Sequence, residues 1–219
     1  MSYRAVVFDL GGVVLGSPIH AIQRYESQIG LEKNSINRVV AETAPHGAWS
    51  RLERGEITIE AFYAAFEADC RDAGYEISAR TLFEWMAEES QPRPAMLVAI
   101  RTIRARGLRV GALTNNWAQD PGSAGSENGS RALSEFFDVF IESSVEGLRK
   151  PDPRIYHLAC ERLGVEPKEA IFLDDIGANL KPARELGLTT IKVDEPGTAL
   201  EALAETLGFR LDEPVREKT

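Results

Sequence analysis

Ala5-Val6-Val7-Phe8-Asp9-Leu10-Gly11-Gly12-Val13 is an apolar run that ends in a carboxylate and passes at once into paired glycines. A short apolar run closed by a glycine turn reads as a buried strand. It delivers Asp9 to the carboxyl end of that strand, the edge where open α/β sheets bind their ligands. A second run, Ile171-Phe172-Leu173-Asp174-Asp175, ends in paired carboxylates. If the two strands lie side by side, their acids meet, and neighbouring carboxylates repel unless a cation or a proton joins them. A divalent metal is the simplest resolution, which predicts a metal-dependent enzyme.

Working outward, strands and helices alternate after the break at Pro92-Arg93-Pro94. A helix over 95–106 carries Met96, Ala99, Ile100 and Ile103 on one face and stops at Gly107. A strand over 109–113 runs into Thr114-Asn115-Asn116, and short strands follow near 138–141, 170–173 and 189–193. Between them, Asp152 with Pro153 opens a helix that Gly164 closes, and another helix ends at Gly187. A last amphipathic helix covers about 198–207, and the glycine- and serine-rich stretch 119–130 reads as a loop. Such alternation predicts an α/β fold, a Rossmann-like parallel sheet with helices on both faces.

Residues 18–90 interrupt the pattern directly after the first strand. Their periodicity is helical throughout, with Ile22, Tyr25 and Ile29, then Ile59, Phe62, Tyr63 and Phe66, then Leu82, Phe83 and Met86 on the apolar faces. Thr58 reads as the N-cap of the middle helix. The expected organisation is a core of residues 1–16 and 92–219 with an inserted helical cap, 17–91, beside the catalytic edge.

The 219 residues are 43% hydrophobic and 27% charged, the balance of an ordinary globular protein. No stretch is apolar for long enough to cross a bilayer, and the N-terminus lacks the build of a signal peptide, so a cytoplasmic protein without membrane contact is expected. A net charge of −9 argues against nucleic acid as a partner. It leaves open a small phosphorylated molecule, since a local cation reverses the field inside one cleft. Cys70 and Cys160 have no metal-ligand spacing and read as reduced structural thiols. Monomer and homodimer both remain open.

Four strand ends or loops carry polar groups: Asp9; Thr114 with Asn115; Arg149-Lys150-Pro151; and Asp174-Asp175. A carboxylate, a hydroxyl-bearing turn, a lysine and an acidic pair are the parts of phosphoryl transfer through a covalent aspartyl intermediate. Phe8-Asp9-Leu10-Gly11-Gly12-Val13, Leu113-Thr114-Asn115, Lys150-Pro151 and Leu173-Asp174-Asp175, in that order, resemble the haloacid dehalogenase-like hydrolase superfamily. Within it the chain is similar to the phosphatase-like domain of soluble epoxide hydrolases and, more so, to the hydrolase domain fused to some acyl-CoA dehydrogenase-family proteins. Trp49 through Thr58, Lys150 through Tyr156 and Phe172 through Gly187 carry that likeness.

The resemblance implies that Asp9 is the nucleophile and a Mg²⁺ ligand, and that Thr114 and Asn115 bind the phosphoryl group. It implies that Lys150 neutralises that group and steadies Asp9. Asp175 would be the metal carboxylate, with Asp174 reaching the metal through water or orienting Lys150. The backbone carbonyl of Gly11 would complete the metal contacts. Phosphatases of the superfamily usually carry an aspartate two residues after the nucleophile, where this chain has Gly11. The resemblance therefore implies a slow phosphatase, or one restricted to aryl, acyl or anomeric phosphates. His20 or His46 would be the candidates to replace that acid, and each also reads as an ordinary surface histidine. Trp49, Arg51 and Arg54 are candidates for specificity and equally for packing. Two other readings stand beside the phosphatase: carbon–halogen hydrolysis by the same carboxylate, and a phosphate-binding regulatory module with negligible turnover.

Overall fold

A computed structural model describes residues 2–117 and 133–212. The 119–130 segment predicted to be a loop lies outside the described residues. Five parallel strands form one sheet: β1 (Ala5–Phe8), β2 (Arg109–Thr114), β3 (Val139–Glu142), β4 (Ala170–Asp174) and β5 (Thr189–Lys192), in the order β3-β2-β1-β4-β5. The strand that carries Asp9 is thus central, flanked by those ending in Thr114 and Asp174. Phe8 pairs with Ala112 on one side and with Leu173 on the other, so the three strands reach the carboxyl edge in register.

Alternation along β1 sorts its side chains between two cores, as the period of a strand requires. Val6 and Phe8 pack with α6 (Pro94–Ala105) and α10 (Pro196–Leu207) on one face. Ala5 and Val7 pack with α8 (Pro153–Leu163) and α9 (Gly177–Glu185) on the other. The short α7 (Ser143–Glu146) follows β3 directly. With both faces covered, β1 is buried at every position, which is why it reads as a continuous apolar run. Asp152 caps α8 through the Arg154 N–H, and Gly164 ends it in the left-handed conformation, as the sequence predicts.

Residues 18–89 hold five helices: α1 (Pro18–Gln28), α2 (Ser35–Thr43), α3 (Ala48–Glu53), α4 (Ile59–Asp72) and α5 (Ala79–Glu89). Their apolar faces share one cluster around Trp49, Phe62, Phe66 and Phe83, separate from the two sheet cores. Thr58 caps α4 through the Ala61 N–H. Trp117, just past β2, packs into this cluster, its ring 4.7 Å from that of Phe83. The block rejoins the sheet through two adjacent linkers, with Leu15 bridged to Pro92 and the Gly16 N–H donating to Gln91 O at 3.0 Å. Among the described residues, no helix is long and apolar enough to cross a membrane.

Candidate active site

Asp9 follows the last paired residue of β1, and its own N–H continues the ladder to Leu173 O at 2.9 Å. That bond fixes the backbone at the sheet edge. The carboxylate oxygen Oδ1 accepts the Leu10 N–H at 2.7 Å and lies 2.9 Å from Lys150 Nζ. The same ammonium donates to Asp174 Oδ2 at 2.7 Å. Lys150 is 1% exposed and Asp174 0%, so each charge is compensated within the site rather than by water. Asp174 is also engaged elsewhere: Oδ1 accepts the Ile176 N–H at 2.8 Å, and Asn179 Nδ2 lies 3.1 Å from both oxygens.

The loop that presents Lys150 is clamped by Asn115. Its Oδ1 accepts the Lys150 N–H at 2.8 Å, and its Nδ2 donates to Lys150 O at 3.0 Å. The Asn115 side chain is therefore engaged with the protein's own backbone. Asn116 is held from the other side: its N–H donates to Ser143 Oγ at 2.9 Å, and its Oδ1 accepts from Ser144 Oγ at 3.1 Å. The Thr114 hydroxyl, between these anchors, makes a contact of 3.5 Å to Asn115 O, too long to bind it strongly. It is the polar group of this turn with most freedom to meet a ligand.

One oxygen from each of Asp9, Asp174 and Asp175 lies within 4.8 Å of the others. Burial raises the Asp9 carboxyl well above the usual range, Lys150 opposes the rise, and Asp174 and Asp175 add to it. Asp175 is pushed up to about 6, by burial first and then by Asp174, against Lys150 and Arg93. Burial opposes the charge on Lys150, yet Asp174 and Asp9 outweigh it and hold the ammonium above its ordinary pKa. Acids that burial and mutual repulsion drive toward protonation suit a hard divalent cation with oxygen ligands.

Gly12 makes room for this grouping. Its φ is +80°, and a Cβ there would lie 2.0 Å from Asp175 Oδ2. Gly12→Ala is expected to displace the Asp175 carboxylate and, if the three acids hold a divalent cation such as Mg²⁺, to weaken its binding roughly tenfold or more. Titration calorimetry on the folded variant measures this; unchanged affinity would remove Asp175 from the metal site.

Asp9, Thr114, Asn115, Lys150, Asp174 and Asp175 all belong to this sheet edge, and Gly11 lies in the turn directly after Asp9. Two contributors carry no sequence expectation. Asn179 is a buried polar residue on α9, beside Leu180 and Ala183, and that polarity on an apolar face was the available signal. Arg93, read only as part of a break, donates to Gly12 O at 2.7 Å and to Val13 O at 3.3 Å. His20 and His46 are both exposed on the helical block. Trp49 is buried in that block, whereas Arg51 and Arg54 both pair with Glu56.

Known proteins resemble this chain in sequence and in fold. Mouse acyl-CoA dehydrogenase family member 10 is 41% identical over 213 residues, covering 96% of this chain and 20% of that protein. Pig bifunctional epoxide hydrolase 2 is 37% identical over 225 residues, covering 96% of this chain and 40% of that protein. The chain thus spans less than half the length of either relative. A solved structure from Porphyromonas gingivalis, described as a HAD-like family hydrolase, superposes with a TM-score of 0.67 at 25% identity, over 94% of this chain and 98% of that one. The family profile for haloacid dehalogenase-like hydrolases matches residues 3–187, and the chain belongs to that family of enzymes.

Proposed function

We propose that this chain is a Mg²⁺-dependent phosphatase that hydrolyses a small phosphorylated metabolite through a phosphoryl group carried on Asp9. The observation behind this is the charge balance at the sheet edge: three carboxylates lie within 4.8 Å of one another, and the buried ammonium of Lys150 contacts only two of them, Asp9 and Asp174. Carbon–halogen hydrolysis needs the nucleophile and an activated water but no metal, so it leaves the repulsion among the three acids unrelieved. Mg²⁺ held by Asp9, Asp175 and the Gly11 carbonyl would screen the attacking carboxylate from the phosphate dianion.

In this mechanism Asp9 Oδ1 is fixed by Leu10 and Lys150, and Oδ2 attacks phosphorus. The Oδ2–P bond forms as the bond from phosphorus to the leaving oxygen breaks. Lys150 and the Thr114 hydroxyl hold the phosphoryl oxygens, with backbone N–H groups of the Asp9 and Thr114 turns. Asp174 and Asn179 keep the Lys150 side chain in place, and Asn115 keeps its backbone in place. Water then attacks phosphorus, the aspartyl O–P bond breaks, and carboxylate and phosphate are regenerated. Gly11 offers no proton to the leaving oxygen, so substrates whose leaving group is stable as an anion turn over best. Residues 17–91 act as a cap over the core of 1–16 and 92–219, excluding bulky substrates and bulk water.

Activity against a panel of phosphate esters, aryl, acyl and sugar-1-phosphates among them, should require Mg²⁺. It should disappear with a chelator and return when Mg²⁺ is restored. Chelator-resistant release of chloride from 2-chloropropionate, with no phosphate release from the panel, would replace the phosphatase with a dehalogenase.

A further inference from the structure

We propose that Arg149 and Glu53 are a positioning pair that ties the seating of the helical block to the placement of Lys150, an inference that rests on the phosphatase reading. Arg149 is the chain neighbour of Lys150, yet its side chain crosses to α3. Its Nε lies 2.6 Å from Glu53 Oε2, and its Nη1 donates to Ser50 Oγ at 2.9 Å. The Nε contact is not aligned as a hydrogen bond, so it acts as an ion pair. Glu53 Oε1 accepts the Trp49 indole N–H at 3.0 Å, and the Trp49 ring lies edge-on to Trp117, two residues past Asn115.

A second contact seats the same helix. Gly55, just past α3, has φ +68°, and a Cβ there would lie 2.4 Å from Ser144 O. Ser144 in turn holds Asn116. One short segment, Trp49 to Gly55, therefore touches both loops that frame Lys150. The lysine backbone is gripped by Asn115 from the core, and its neighbour is gripped by α3 from the block.

The energetics favour register over strength. A buried ion pair returns little net stability after desolvation, but one partner left alone in the seam is costly. The Arg149 and Glu53 charges are paired only when α3 sits in this position. Arginine suits the task because its fork reaches two acceptors at once, as the point charge of lysine does not.

The test begins with wild-type turnover of p-nitrophenyl phosphate in Mg²⁺, which by itself decides the phosphatase reading. Arg149→Met and Glu53→Gln are then expected to lower kcat roughly tenfold to a hundredfold, with KM within about twofold, because misplacing a charged group costs the reaction more than binding. Arg149→Lys should fall between these and wild type, and Mg²⁺ affinity should change less than kcat, since the Asp9 and Asp175 carboxylates are both retained. A lower Tm with wild-type kcat, measured well below the melting range, would reduce the pair to a structural seam and overturn the proposal. If the wild type hydrolyses no phosphate ester, a crystal structure of Arg149→Lys decides instead. Lys150 Nζ shifted from its 2.9 Å contact with Asp9 supports the pair, and an unshifted ammonium refutes it.

Discussion

Asp9→Asn should abolish turnover, by roughly 10⁴-fold or more, while leaving the fold intact. Asparagine keeps the shape and an acceptor for the Leu10 N–H, but its amide does not attack phosphorus. Lys150 retains Asp174 at 2.7 Å, so the ammonium is not left without a partner. Stability should move the other way. Folding raises the Asp9 pKa through burial, with Asp174 and Asp175 adding to it against Lys150. An acid raised in this way costs stability once ionised, above its folded-state pKa, and costs nothing when protonated below its unfolded one. A neutral isostere removes that cost, so at neutral pH the metal-free variant should melt no lower than the metal-free wild type. Steady-state assays and thermal melts on the same preparations test both halves. Activity above a percent of wild type would mean a different nucleophile, and a large drop in Tm would mean that Asp9 is structural.

Most of this site could be anticipated because the sheet does the gathering. Once Ala5–Phe8 and Ala170–Asp174 are strands, parallel pairing carries Asp9 and Asp174 to one edge, whatever the chain between them does. Helix signals were legible where they are local, as at Thr58, Asp152 and Gly164. They failed where the stabilising group is distant in sequence. α2 has no side-chain cap of its own; buried Glu26 accepts the Asn34 and Ile36 N–H groups, each at 2.7 Å. α3 likewise relies on Asp69, whose Oδ2 accepts the Ala48 N–H at 2.8 Å. The same limit applies to Arg93 and Arg149, whose contacts span 81 and 99 residues. Residue type gave no sign of where either side chain would end.

Gly11→Asp should speed hydrolysis of alkyl phosphates by roughly 10²-fold or more, within the range that general acid–base catalysis supplies. The gain with p-nitrophenyl phosphate should be far smaller. An alkoxide needs a proton as it leaves, whereas nitrophenolate departs as a stable anion. The comparison is cleanest in kcat/KM, which ends at transfer of the phosphoryl group to Asp9 and is blind to the later hydrolysis of that intermediate. The backbone permits the change, since Gly11 has φ −64° and ψ 125°, ordinary for any residue. Space is the obstacle: a Cβ there would lie 3.3 Å from both Cγ and Cδ of Pro18, so the ring must yield by a few tenths of an ångström. Pro18 opens α1, where proline is favoured but replaceable, and Pro18→Ala should cost about 1 kcal/mol or less. Gly11→Asp in the Pro18→Ala background should therefore outperform Gly11→Asp alone, while Pro18→Ala by itself leaves the leaving-group preference unchanged. Equal gains on both ester classes, or none in the double variant, would mean that Gly11 is not the vacant acid position.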